Sequence, residues 1–216
     1  TVSTFFLGGG AYTFPRWVES EWPGSRVDVA EIDPLVVEAN HAALGLRRDT
    51  KIRTFVGDAR NTIDDLPADT RYDIFFGDAF NDLSVPWHLT TLEFARRMKK
   101  HLTPDGAYLM NVIEDIRSGL FLGANVATLK RVFRHVRVFC TDQTGVEPGR
   151  ETFVIVATDA PFEVSDWLPH HKTDFAGSVL TDVDMAGLHQ RSRGRVLTDD
   201  DAPVENLLEP VVRNRK

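Results

Sequence analysis

Short apolar runs alternate with amphipathic segments over the first two thirds of the chain. "VSTFFL" (2–7) is a continuous apolar run of strand length that stops at three glycines. "TFPRWVESEW" (13–22) then has the spacing of a helix, with Thr13 at the N-cap position and Pro15 in the first turn. The couplet recurs. Strand "SRVDVAEID" (25–33) leads into helix "PLVVEANHAAL" (34–44), which opens on Pro34 and closes at Gly45. Strand "KIRTFVGDA" (51–59) leads into the short helix "ARNTIDDL" (59–66), and "RYDIFFGDAF" (71–80) holds a fourth strand. "LTTLEFARRMKKHL" (89–102) places Leu92, Phe94, Ala95, Met98 and Leu102 on one helical face. "PDG" (104–106) predicts a turn before strand "AYLMNVI" (107–113) and helix "LFLGANVATLKRVF" (120–133). "HVRVFCTD" (135–142) and "TFVIVATD" (152–159) predict a closing hairpin.

This alternation predicts an α/β fold: a doubly wound, mostly parallel Rossmann-like sheet with a C-terminal antiparallel hairpin. After residue 160 the pattern loosens into short helices and loops. Residues 1–160 are therefore expected to form the catalytic domain, with 161–216 packed on it.

Composition narrows the function classes. The chain has 216 residues, 42% of them hydrophobic, enough for one sizeable core. Its net charge of −7, without a basic stripe, argues against a nucleic-acid partner. Cys140 is the only cysteine, so neither an internal disulfide nor a cysteine-rich metal site is available. It sits in apolar "VRVFC", where a buried structural thiol is the expectation. No apolar run reaches the roughly 18 residues of a membrane span, and no signal peptide precedes the first strand, which points to the cytoplasm. The chain starts at Thr1 and enters a strand at once, as a domain excised from a longer protein would.

In open α/β sheets, ligands bind beyond the carboxyl ends of the strands. Here strand one ends in Gly8, Gly9 and Gly10, strand two in Glu31 and Asp33, strand three in Asp58, and strand four in Asp78. Each has a local explanation as well. Glycines permit tight turns, Asp33 before Pro34 suits a helix N-cap, Asp58 suits a cap of "ARNTIDDL", and Asp78 suits a turn. Glu31 resists such an explanation because it follows "VDVA" at a buried strand end. It lies 21 positions after Gly10, near the spacing of about 20 at which an acid meets a ribose diol. Asp58 would then accept from the adenine exocyclic amine, with Ile32 and Ala59 flanking the base.

A dinucleotide fits this adenosine site poorly. The third glycine of the G-x-G-x-x-G loop is Thr13, and Pro15 removes a backbone N–H that a pyrophosphate would use. An adenosyl sulfonium has no phosphates to hold and carries a positive charge that the acids favour. S-adenosylmethionine or a relative is thus preferred over NAD. No His, Cys and acid grouping has metal-ligand spacing, so no metal is expected. His88, after "VPW", reads as part of a helix start.

"LGGGAYTFPR", "EIDP", "VGDA" and "DAF", in this order and spacing, resemble the spermidine synthase (polyamine aminopropyltransferase) family, a branch of the class I methyltransferase fold. The resemblance covers residues 1 to about 158. The tail "VLTDDDAPVENLL" (196–208) is similar to that of long bacterial members fused to membrane helices. It implies transfer of an aminopropyl group from decarboxylated S-adenosylmethionine to a small-molecule amine or other nucleophile, releasing methylthioadenosine. It also implies Asp78 as the catalytic aspartate that orients and deprotonates the incoming amine, Glu31 and Asp58 as ribose and adenine contacts, and Gly8 and Gly10 as the bare backbone beside the ligand. A homodimer and a membrane-embedded partner domain are the further partners it suggests.

Two positions depart from the family pattern. The loop aspartate that holds the donor's aminopropyl ammonium is Ala11 here, and the second acid of the strand-four motif is Asn81, with Asp82 next to it. Ala11 keeps a methyltransferase using intact S-adenosylmethionine open as an alternative, and the abrupt N-terminus a non-catalytic nucleoside-binding domain. Among the tail acids Asp199, Asp200 and Asp201, one reading folds them over the pocket to restore negative charge. The other makes Asp201 the cap of "APVENLL".

Overall fold

The computed structural model describes residues 1–79, 84–140, 149–163 and 177–213. Among them are one mixed sheet of eight strands and seven α-helices. β1 (Ser3–Leu7), β2 (Arg26–Glu31), β3 (Arg53–Val56), β4 (Tyr72–Gly77) and β5 (Leu102–Glu114) run parallel. β6 (His135–Cys140), β7 (Glu151–Thr158) and β8 (Ser178–Val179) complete the order β3-β2-β1-β4-β5-β7-β6-β8. The helices are α1 (Thr13–Glu21), α2 (Pro34–Ala43), α3 (Ala59–Asp64), α4 (Leu92–Lys99), α5 (Leu120–Leu129), α6 (Asp182–Arg191) and α7 (Val204–Arg213). The α/β class and mostly parallel order match the sequence pattern. The hairpin does not simply extend one edge: β7 inserts antiparallel between β5 and β6, and β8, which the loose pattern after 160 did not suggest, forms the edge.

The two faces of the sheet differ. The main core holds Phe5, Phe75, Phe94, Met98, Phe121 and Leu122, and residues of α6 and α7 such as Leu188 and Leu208 belong to it. A smaller core on the opposite face gathers Phe6, Tyr12, Val18, Val27 and Val29 under α1. On that face Leu109 and Val154, from β5 and β7, stay half-buried.

Two local expectations change. Thr13 is the first residue of α1, not its cap. Tyr12 precedes the helix in the left-handed region, φ 55°, without a side-chain cap. A threonine cap needs extended backbone, whereas this turn swings the Tyr12 ring inward to full burial. Arg16 braces it by donating from Nε to the Tyr12 carbonyl and from a terminal nitrogen to the Leu44 carbonyl. Second, "PDG" does not precede β5 but bulges within it. The partner of Tyr72 is Leu102 and that of Ile74 is Ala107, so the excursion is absorbed without losing the strand. Asp33 caps α2, accepting from the Leu35 amide at 2.8 Å.

Candidate active site at the strand ends

Where the strand order reverses between β1 and β4, the carboxyl ends enclose a cavity of about 670 Å³. Gly8, Gly10, Glu31, Ile32, Asp58, Ala59 and Asp78 all line it. Strands too far apart in sequence to interact locally have brought glycines from β1 and acids from β2, β3 and β4 to this place.

Glu31 ends β2 and is 7% exposed. Its Oε2 accepts from the Gly9 amide at 2.8 Å and the Gly10 amide at 3.4 Å, and its Oε1 from the Asp33 amide at 3.0 Å. A carboxylate offers about four acceptor sites, so Glu31 holds the glycine loop and keeps capacity toward the cavity. Buried Asn40 of α2 holds the same loop from behind, donating to the Gly10 carbonyl at 2.7 Å.

The three glycines are bare for three different reasons. At Gly8, φ is +94° and a Cβ would stand 2.8 Å from the Asp78 carbonyl oxygen. At Gly9 a Cβ would stand 2.5 Å from the Tyr12 ring, so that position makes room for a side chain of its own loop. Gly9 lines a second cavity but not the first. At Gly10, φ is +48° and a Cβ would meet nothing within 4 Å, which leaves open space over the cavity. Burial raises the Tyr12 hydroxyl above its ordinary pKa, and that hydroxyl lies 3.1 Å from Thr54 Oγ1.

Asp58 caps α3 through Oδ1, which accepts from the Arg60 and Asn61 amides at 2.9 and 3.1 Å. Its Oδ2 lies 2.7 Å from Nε2 of His88, which belongs to a 3-10 turn at Trp87–Leu89. Burial pushes the Asp58 carboxyl up, but the His88 hydrogen bond and the two amides outweigh it and hold the carboxyl below its usual range. His88 thus does more than start a helical turn: it lines the cavity and pairs with a wall residue.

Asp78 follows β4 and is exposed. Its amide donates to the Leu7 carbonyl at 3.1 Å, and Oδ1 accepts from Asn111 Nδ2 at 2.9 Å. Oδ2 has no partner among the described residues. Asn111 was not singled out from sequence, although it is the one amide side chain in the apolar run of β5. Asp78, Gly8 and Gly10 also line the second cavity, of about 620 Å³, with walls of Phe6, Phe14, Phe76, Leu109 and Val154. Ala11 lies there too.

Asn81 and Asp82 lie outside the described residues. Neither reading of the tail acids holds: none of Asp199, Asp200 and Asp201 lines either cavity. Asp199 accepts from Arg60 Nη1 at 2.8 Å and from Thr91 Oγ1 at 2.7 Å, and lines neither cavity. The Arg60 hydrogen bond lowers its pKa to about 2. Asp201 pairs with Arg195 at 2.8 Å and makes no side-chain bond to α7, so it is not that helix's cap. Thr198 and Asp201 exchange backbone hydrogen bonds in a tight turn ahead of the helix. Among the described residues, no three or more His, Cys, Asp or Glu side chains cluster as a metal site would require.

No protein-family model matches the chain. In sequence it is 25% identical over 222 residues to the "Probable polyamine aminopropyl transferase" of Bifidobacterium longum (strain NCC 2705), covering 95% of this chain and 48% of that protein. It is 29% identical over 156 residues to the "Polyamine aminopropyltransferase" of Vibrio vulnificus (strain CMCP6), covering 72% and 50%. The chain thus spans about half the length of these curated relatives. It is also 27% identical over 126 residues to the mouse (Mus musculus) "eEF1A lysine and N-terminal methyltransferase", covering 54% of this chain and 18% of that protein. In structure it matches a probable spermidine synthase from Corynebacterium glutamicum ATCC 13032 with a TM-score of 0.73 at 21% identity, covering 94% of this chain and 74% of that one. A spermidine synthase in complex with the transition-state analogue AdoDATO matches with a TM-score of 0.62 at 16% identity, covering 89% and 68%. The chain is thus similar in sequence to polyamine aminopropyltransferases and shares the class I methyltransferase fold with the spermidine synthases.

Proposed function

We propose that the chain transfers an aminopropyl group from decarboxylated S-adenosylmethionine to an amine. The observation that carries this reading is Asp78, held through one oxygen by Asn111 and standing in the wall common to two cavities. Glu31 has acceptor capacity left for a ribose diol, and Asp58 with His88 forms the wall suited to the adenine edge. Ile32, 69% exposed beside the cavity, and Ala59 offer apolar contact to the base. The bare Gly10 backbone gives the nucleoside room. The donor supplies an electrophilic carbon beside its sulfonium. Asp78 orients the incoming ammonium and takes its proton, the N–C bond forms as the C–S bond breaks, and methylthioadenosine leaves.

All lining residues of both cavities fall within 1–160, the proposed catalytic domain, while 161–216 contributes core residues such as Leu197 and Leu208. The buried lone Cys140 suits a reducing, cytoplasmic setting. Methyl transfer from intact S-adenosylmethionine is a second reading, favoured by Ala11 in the second cavity and by the likeness to the mouse methyltransferase. Calorimetry with intact donor, decarboxylated donor and methylthioadenosine decides between them. Tighter binding of the decarboxylated donor, with methylthioadenosine released on adding an amine, supports aminopropyl transfer. Tighter binding of the intact donor supports methyl transfer, and failure of all three to bind removes the adenosyl site.

A further inference from the structure

Among the described residues that wall the first cavity, four are carboxylates, Glu31, Asp33, Asp58 and Asp78, and one is a base, His88. A base in a chamber of acids needs a reason, because the proposed donor is itself a cation. The bond His88 makes supplies one. Its Nε2 lies 2.7 Å from Asp58 Oδ2, and a carboxylate can only accept, so this ring nitrogen carries the hydrogen. Asp58 Oδ1 is already taken by the Arg60 and Asn61 amides at 2.9 and 3.1 Å. Of about four acceptor positions on the carboxylate, two on Oδ1 and one on Oδ2 are thus filled, and one remains on Oδ2. His88 is itself held in place, since Arg60 donates to its carbonyl at 3.0 Å and pairs with Asp199.

That one open site has a definite preference. A 6-aminopurine offers it an N–H, whereas a 6-oxopurine turns a carbonyl lone pair toward it. The preference lasts only while Asp58 is ionised, because a protonated carboxyl would donate to the carbonyl instead. Burial pushes the Asp58 carboxyl up, and the His88 hydrogen bond leads the influences that bring it below its usual range. The other ionisable walls, Glu31 and Asp33 from the end of β2 and Asp78 from the end of β4, are acids and offer no such hold. Arg60, on α3, contributes its amide to Asp58 while its guanidinium is paired with Asp199. A protonated imidazole donates from Nε2 as a neutral one does, so acid leaves the His88 clamp in place.

We infer that His88 is a positioning residue for base selection: by clamping Asp58 Oδ2 it leaves one charged acceptor site and so sets a preference for 6-amino over 6-oxo purines. The inference rests on the adenosyl reading of the first cavity. Calorimetric titration with methylthioadenosine and with methylthioinosine, in neutral and in mildly acidic buffer, tests it. The parent protein should bind methylthioadenosine more tightly by about tenfold or more, and keep that ratio in acid. His88→Phe should reduce the ratio by about fivefold at neutral pH, the worth of one hydrogen bond, and further in acid. His88→Gln, which retains an N–H donor, should restore the ratio at neutral pH. Urea unfolding of each variant shows that it is folded. Loss of the parent's preference in mild acid overturns the inference without any variant. So does a His88→Phe protein that binds both nucleosides more weakly at an unchanged ratio, because His88 would then only brace its turn. Methylthioadenosine binding with no preference over methylthioinosine overturns the inference alone, whereas failure of the parent to bind either nucleoside overturns it together with the adenosyl reading.

Discussion

The two cavities share Gly8, Gly10 and Asp78, but their other walls are made differently. The first is edged by carboxylates that are already fastened: Glu31 to three backbone amides, Asp58 to two amides and His88. The second is edged by strand and helix side chains that are apolar and, at Phe14, open to solvent. Fastened acceptors cost little to organise when a polar ligand arrives, so the first cavity suits a ligand with a fixed pattern of hydroxyls and amines. An apolar wall discriminates by shape and by the absence of charge, so the second suits variation in what is bound.

The largest effect should come from the shared wall. Asp78→Asn should lower kcat by about 10²–10⁴-fold, as loss of a general base does, while methylthioadenosine affinity stays the same. Unchanged turnover would mean that the junction of the cavities is not where the reaction occurs. On the first side alone, Glu31→Gln should weaken methylthioadenosine by roughly 10–30-fold, about 1.5–2 kcal/mol for a hydrogen bond to a charged acceptor. Calorimetry reads that loss, and amine binding to the nucleoside-free protein should not follow it.

Gly9→Ala should separate loop packing from ligand contact. Its Cβ would meet the Tyr12 ring, costing about 1–3 kcal/mol in urea unfolding. A smaller change is expected for Asn111→Ala, which frees Asp78 Oδ1. Here kcat should drop by about tenfold, roughly 1.4 kcal/mol, with nucleoside affinity unaffected.

The smallest effect lies outside both cavities. Asp199, with a folded pKa of about 2 against about 3.9 unfolded, contributes stability that is present above pH 4 and fades as pH falls toward 2. Asp199→Asn should therefore cost at most about 1 kcal/mol near neutrality, because the pair is partly solvated. The difference between variant and parent should vanish in acid. A larger loss, or a loss of nucleoside affinity, would tie this distant pair to the first cavity through Arg60, which also donates to the His88 carbonyl.

Much of the fold was legible because its determinants are local. Asp33 before Pro34 reads as a helix start and is one, and the apolar runs of β1 to β4 read as parallel strands and are, with β1 buried as expected and β3 largely open at the sheet edge. Thr13 misled because the usual cap chemistry gave way to the burial of Tyr12. "PDG" misled because a turn sequence can bulge inside a strand when the neighbouring strand supports both flanks. His88 and Asn111 were hidden for another reason. Their partners lie 30 and 33 residues away, and no local pattern records a hydrogen bond across that distance.

By itself the sequence determined that successive strands would end in glycine or acid, since alternating hydrophobic periodicity places the strand ends and the residues there are simply read. Only the tertiary structure decided which of those acids are fastened, by what, and toward which cavity. It also decided that Gly9 is bare for Tyr12 while Gly10 is bare beside open space, and that Asp78 stands between a polar chamber and an apolar one. Periodicity is a property of neighbours along the chain. A shared wall depends on the registers of β1, β4 and β5 together, and those registers are set by packing the whole sheet.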